Sequence, residues 1–126
     1  MEEKPIRKIL LIEDEANITS AHKIILSQMF NSLYTLEFIW VTNIADLEKL
    51  LEGSSISTYH LCLIDGEIEG GHTKPLLSKL PQERSLVASN SRPYVEYARS
   101  IGYHAGFKYI LDENMKHIIE SIINKS

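Results

Sequence analysis

The residues of this chain that could do chemistry stand at the ends of short apolar runs. Ile9-Leu10-Leu11-Ile12 gives way at once to Glu13-Asp14-Glu15, Leu61-Cys62-Leu63-Ile64 stops at Asp65, and Ser85-Leu86-Val87-Ala88 stops at Ser89-Asn90-Ser91. Lys108 follows a weaker run that begins near Ala105. If the ends of these runs meet, three carboxylates converge. Like charges in a partly dry pocket repel, and one of them is forced to take a proton. A hard divalent cation resolves that conflict, because Mg²⁺ takes carboxylate oxygens plus waters and pairs readily with phosphate. A carboxylate nucleophile can then accept a phosphoryl group to form an acyl phosphate. Lys108 could neutralise the transferred group from the side opposite the metal, and the Ser89 hydroxyl could donate a hydrogen bond to it.

Each of these residues also has a bland reading. Asp65 could cap the turn that follows it, and Glu13-Asp14-Glu15 could be the solvated first turn of a helix, favoured by the dipole. Ser89 could simply end a run, and Lys108 could be a surface lysine. Glu67 and Glu69 read as solvated loop charges. The histidines show no metal-ligand spacing, with His60, His72 and His104 read as surface or strand-edge residues. Trp40 and the isoleucines of the last helix read as core.

The elements that must position these groups alternate. The run Ile9–Ile12, apolar throughout, predicts a strand buried on both faces, as in a parallel sheet. A helix from about Ala16 to Phe30 follows, with Ile18, Ala21, Ile25 and Met29 on one apolar face. Leu36 to Val41, aromatic and β-branched, predicts a second strand. Thr42 or Asn43 can cap a helix carrying Leu47, Leu50 and Leu51 that stops at Gly53. Leu61–Ile64 is a third strand, followed by the Gly-rich stretch Gly66 to Gly71 and a short helix around Pro75 to Leu80. Ser85–Ala88 is a fourth strand. Pro93 suits the first turn of the next helix and Gly102 its end. A weak fifth strand lies near Ala105 to Lys108. Asp112 can cap a last helix with Met115, Ile118, Ile119, Ile122 and Ile123 as its stripe. Five strands alternating with five helices imply one doubly wound parallel sheet covered on both faces. Its crossovers should be right-handed and its ligand site should lie outside the carboxyl ends of the strands.

With the strand ends in view, the constellation resembles the receiver domain of bacterial response regulators, a flavodoxin-like α/β architecture. The resemblance is carried by Lys8-Ile9-Leu10-Leu11-Ile12-Glu13-Asp14-Glu15, by Leu61-Cys62-Leu63-Ile64-Asp65, by Leu86-Val87-Ala88-Ser89, and by Ala98-Arg99-Ser100-Ile101-Gly102 leading to Lys108. It covers nearly the whole chain, in order. It implies that Asp65 is the phospho-acceptor and that Asp14 binds Mg²⁺ directly with Glu13 helping through water. It also implies that the Glu67 carbonyl completes the metal's ligands, and that Ser89 and Lys108 bind the phosphoryl oxygens. The implied donor is a phosphohistidine on a histidine kinase or phosphotransfer protein, and the implied output is a downstream protein target, with a homodimer left open. The chain departs from the family pattern in several places. Glu13 stands where Asp is more frequent, and the loop after Asp65 lacks the usual proline. Asn90 replaces a small residue after Ser89. Ala105 falls nearest the usual switch aromatic, so Tyr103 or Phe107 would have to substitute. Tyr109 follows Lys108 in place of proline, which predicts a trans bond there.

The 126 residues fit one domain, read as a receiver over 1–126 with no effector domain after it. A net charge of −4 argues against direct nucleic-acid binding. Apolar runs of a few residues are far too short to span a bilayer, and no signal-peptide stretch opens the chain. Cys62 is the single cysteine and excludes an internal disulfide, which fits a reducing cytoplasm. The domain would not be an enzyme beyond transferring phosphoryl to and from its own Asp65. Two competing functions remain at this point. One is a receiver-like interaction module never phosphorylated in practice. The other is a Mg²⁺-dependent phosphohydrolase of the haloacid-dehalogenase type, faintly suggested by Asp65-Gly66-Glu67, although that family carries its nucleophile on the first strand.

Overall fold

A computed structural model describes residues 3–53, 55–107 and 111–125. In chain order the elements are β1 (Ile6–Ile12), α1 (Ala16–Phe30), β2 (Thr35–Val41), α2 (Ile44–Glu52), β3 (Leu61–Ile64), a small antiparallel pair β4 (Glu67–Ile68) and β5 (Gly71–His72), β6 (Ser85–Ala88), α3 (Arg92–Ser100), β7 (His104–Gly106) and α4 (Glu113–Lys125). The main sheet has five strands, all parallel, in the order β2-β1-β3-β6-β7. This is the flavodoxin-like order expected of a doubly wound sheet.

Alternation across the pleat divides the strand side chains between two cores. On one face Leu10, Ile12, Cys62, Ile64 and Val87 pack with Leu47 of α2, Leu77, and Val95 and Ala98 of α3. On the other face Ile9, Leu11, Leu61, Leu63 and Leu86 pack with Leu26 and Phe30 of α1 and with Met115, Ile119 and Ile123 of α4. β3 and β6 are buried at every position, as runs without alternation require when both faces are covered.

Local chemistry sets the helix ends. Asn43 accepts the Asp46 N–H at 2.8 Å and caps α2. Ser91 accepts the Tyr94 N–H at 3.3 Å and caps α3. The Asp112 carboxylate accepts the Met115 N–H at 2.9 Å ahead of α4. Gly102 takes φ of +94° just past α3, a left-handed turn open to glycine at little cost. Among the described residues no helix is long and apolar enough to cross a membrane.

Three expectations are corrected. The expected helix near Pro75–Leu80 is a 3₁₀ segment, Lys74–Lys79, and further 3₁₀ turns occupy Ser55–Thr58 and Gln82–Arg84, so the described residues hold four α-helices and not five. A stretch this short cannot repay helix nucleation, and it is held instead by Tyr103, whose hydroxyl donates to the Leu77 and Leu80 carbonyls at 2.8 and 2.9 Å. The buried face of α1 is Ile18, Thr19, His22, Leu26 and Phe30. Ala21 is exposed while Ile25 and Met29 sit at the margin. Turning Leu26 and Phe30 inward buries more apolar surface than Ala21 would. Trp40 is not core: on edge strand β2 it remains 41% exposed.

Cys62 is fully buried. Burial pushes its thiol up to about 12, outweighing the hydrogen bond with Ser85 and the charge of Arg84. The thiolate is the reactive form, so a disulfide reagent at pH 8 is expected to leave the folded protein unlabelled and to titrate one thiol only in denaturant. Fast native-state labelling would contradict this packing.

Candidate functional site

The parallel ladders continue one residue beyond the strands, and that residue is acidic. The Glu13 N–H donates to the Val41 carbonyl at 3.0 Å, and the Asp65 N–H to the Ile12 carbonyl at 2.9 Å. Ser89 is held in the same way, its N–H donating to the Gly106 carbonyl at 3.1 Å. The register pairs Ile12 with Val41 and Ile64, and Ile64 with Val87. Glu13 and Asp65 are therefore level with one another along one sheet edge, and Ser89 stands one residue further out.

Glu13 and Asp65 are buried and Asp14 is exposed, and one carboxylate oxygen from each lies within 4.8 Å of the others. This donor set is all hard oxygen, with neither His nor Cys in it, and it fits Mg²⁺ better than a softer metal. The longer arm of Glu13 lets Oε2 accept the Glu15 N–H at 3.2 Å, at the start of α1. Asp65 Oδ1 accepts the Gly66 N–H at 2.8 Å. Asp14 and Asp65 border a cleft of about 730 Å³ whose walls also include Glu67, His72, Ser89 and Asn90. Glu67 opens β4, paired with His72. Lys108 and the Lys108–Tyr109 bond lie outside the described residues.

Several residues at the site carried no signal in sequence. Thr73 is fully buried. Its hydroxyl donates to the Asp65 carbonyl at 2.8 Å and lies 3.2 Å from that of Gly66, while its N–H donates to the Gly66 carbonyl at 2.8 Å. The Tyr94 hydroxyl meets the Thr73 hydroxyl at 3.0 Å, and the Tyr94 ring lies edge-on to His72. Burial raises the Tyr94 phenol above its ordinary value, so it stays protonated and can donate to Thr73. From Tyr94 the contacts return through the Ser91 cap to Ser89, whose hydroxyl accepts the Ser91 N–H at 3.1 Å. Asp65, Thr73, Tyr94, Ser91 and Ser89 thus form a loop of contacts joining the acidic site to the first turn of α3. Glycine at 66 makes room for it: a Cβ there would sit 2.7 Å from Tyr94 Cδ2 and 2.8 Å from Ser89 Oγ.

His22 was also missed. It is buried on α1 and lines a void of about 10 Å³ together with Glu13 and Asp65. The aromatics expected to stand in for a switch residue are placed otherwise. Tyr103 is held by the carbonyls of Leu77 and Leu80, and Phe107 is 48% exposed beyond β7.

No family model matches the chain, and no curated protein matches it either. Among solved structures it resembles one described as the yeast Spc42 trimeric coiled coil, amino acids 181–211, fused to another structure. That match has a TM-score of 0.63 and 24% identity, and covers 98% of this chain and 83% of the other. At that identity the likeness bears on the fold alone.

Gly66→Ala is expected to destabilise the protein by about 1–3 kcal/mol through overpacking against Tyr94. Tyr94→Phe, which removes only the hydroxyl, should cost about 1 kcal/mol. Urea unfolding of the two variants checks both values, and a neutral Gly66→Ala would contradict the contact with the ring.

Proposed function

We propose that this chain is a receiver-type signalling domain that accepts a phosphoryl group on Asp65 from a phosphohistidine of a partner kinase or phosphotransfer protein. The observation that carries the reading is the placement of Asp65: buried at the carboxyl end of a central parallel strand, within 4.8 Å of carboxylate oxygens of Glu13 and Asp14, and bordering an open cleft. Glu13, Asp14, Asp65 and the Glu67 carbonyl would hold Mg²⁺, which when bound supplies the positive charge that lets an anionic donor approach an anionic acceptor.

The chemistry at Asp65 balances simply. A carboxylate oxygen attacks phosphorus, the P–O bond forms as the P–N bond of the phosphohistidine breaks, and the imidazole leaves with the electron pair. The new dianion offers strong acceptors. Ser89 Oγ now accepts from Ser91 N–H, and in this reading the Ser89 hydroxyl turns to donate to a phosphoryl oxygen. Lys108 is proposed as the second contact. Ser89 is one hydrogen bond away from the N-cap of α3, so the responsive surface should include α3 and the segment from Ser91 onward. The output would be a downstream protein target in the cytoplasm, and no external substrate would be turned over. The placement of Tyr103 and Phe107 favours a second reading, a receiver-like interaction module that is not phosphorylated, because the Tyr103 hydroxyl is held by the Leu77 and Leu80 carbonyls and Phe107 lies exposed beyond β7.

Trp40 offers a probe of the metal, since its indole N–H donates to the Glu13 carbonyl. Mg²⁺ titration is expected to change Trp40 fluorescence with weak, saturable affinity, and Asp14→Asn should weaken it. A titration that leaves the amides of residues 13–14 and 65 unmoved would contradict metal binding here.

Beryllofluoride with Mg²⁺ is expected to shift amide resonances across residues 89–107, and Asp65→Asn should abolish both that response and labelling by a small phosphodonor. The amide keeps the shape but loses the nucleophile and a charge. Silence of the unsubstituted protein, or labelling that persists in Asp65→Asn, would favour the unphosphorylated module.

A further inference from the structure

The strands that end in acid begin beside base. Arg7 and Lys8 lie at the start of β1, His60 precedes β3, Arg84 precedes β6 and His104 opens β7. The spatial order β1-β3-β6-β7 sets them in a row along the sheet edge opposite the carboxylates. Three fixed cations surround one imidazole there: burial, and then Arg7, Arg84 and Lys8, lower the His60 imidazole and favour its neutral form. A chain with net charge −4 therefore gathers Arg7, Lys8 and Arg84 at one end of the sheet.

Where this edge meets α4 there is a groove of about 520 Å³. Its walls carry two fixed cations, Arg84 and Lys125, and the imidazoles of His104 and His117, against one acid, Glu83. Ile118, half-buried, and Ile122, buried, supply apolar surface between them. Arg84 is fixed in place, its Nη1 donating to the Ser57 and Tyr59 carbonyls at 2.8 and 3.1 Å. His104, His117 and Lys125 are exposed.

We propose that this groove docks an acidic segment of a partner protein, seating a leucine- or isoleucine-sized side chain against Ile118 and Ile122 with carboxylates on either side facing Arg84 and Lys125. Charge complementarity selects the sign of the partner, and the apolar floor selects a peptide over a nucleic-acid backbone, which would call for a longer run of Lys and Arg. The groove lies at the end of the sheet away from Asp65, so the inference does not depend on phosphoryl transfer.

The test is fluorescence anisotropy of the full chain with a short labelled peptide of leucines flanked by glutamates. Saturable binding is expected, weakening severalfold as salt rises from about 50 to about 200 mM. The double variant His117→Glu with Lys125→Glu should lose about tenfold or more in affinity. Lys49→Glu, a charge reversal on exposed α2 outside the groove, should change affinity less than twofold, which separates the groove from net charge. Far-UV circular dichroism checks that the variants fold. Absence of saturable binding, equal losses in the groove and Lys49 variants, equal affinity for a glutamate peptide without leucine, or tighter binding of a single-stranded oligonucleotide would each overturn the proposal.

Discussion

Parallel pairing of β1 with β3 is the constraint on which the candidate site depends. Because Ile12 lies beside Ile64 in register, the next residue of each strand leaves the sheet at the same level, and both are acids. Backbone hydrogen bonds from Glu13 and Asp65 to neighbouring strands then hold the two main chains in place. Burying carboxylates so close together is costly, and a slip of one residue would relieve it. If β1 slipped, it would also turn Leu10 and Ile12 to the opposite face and empty one core to crowd the other. With the apolar packing of both faces setting the register, the electrostatic conflict at the strand ends is tolerated and becomes available for chemistry.

A second dependence runs from the smallest residue at the site. Gly66 leaves the space that the Tyr94 ring occupies. Tyr94 in turn reaches Thr73, which holds the backbone of Asp65 and Gly66 from behind. Hydroxyls and caps therefore link Asp65 to α3, and Ala105 on β7 takes no part in that link: it is small and its carbonyl is taken by the Arg99 guanidinium at 2.8 Å. Tyr94 also gives α3 a buried anchor in its first turn, so movement at Ser89 or Thr73 meets the helix where it is capped.

The two ends of the sheet are chemically opposite. Anionic groups gather where the strands end, and cations gather where they begin. Parallel strands make this segregation possible, because every strand presents its start to one edge and its finish to the other. An antiparallel sheet with the same residues would mix the two signs along both edges.

The sequence by itself determined the strands of the main sheet, the four α-helices and the acidic residues that meet at the candidate site. Apolar runs four residues long closed by acids, and the stripe from Met115 to Ile123, are local patterns whose periods survive folding. The strands at residues 9–12, 36–41, 61–64 and 85–88 were legible from apolar, aromatic or β-branched runs, and the caps from Thr42 or Asn43 and from Asp112, while Ser91 as the cap before Pro93 emerged only in the structure. The parallel order followed from the alternation of strand and helix. Tertiary structure alone decided the rest. The buried face of α1 runs through Leu26 and Phe30 because these are the side chains that meet the core on its side of the sheet, and a hydrophobic period cannot say which of two adjacent faces will win. Trp40 stayed at the surface because β2 became an edge strand. Thr73 and Tyr94 joined the site from 8 and 21 residues away in successive steps, Asp65 to Thr73 to Tyr94. Contacts of that kind leave no periodic trace in the chain, since they are made only when separate elements pack together.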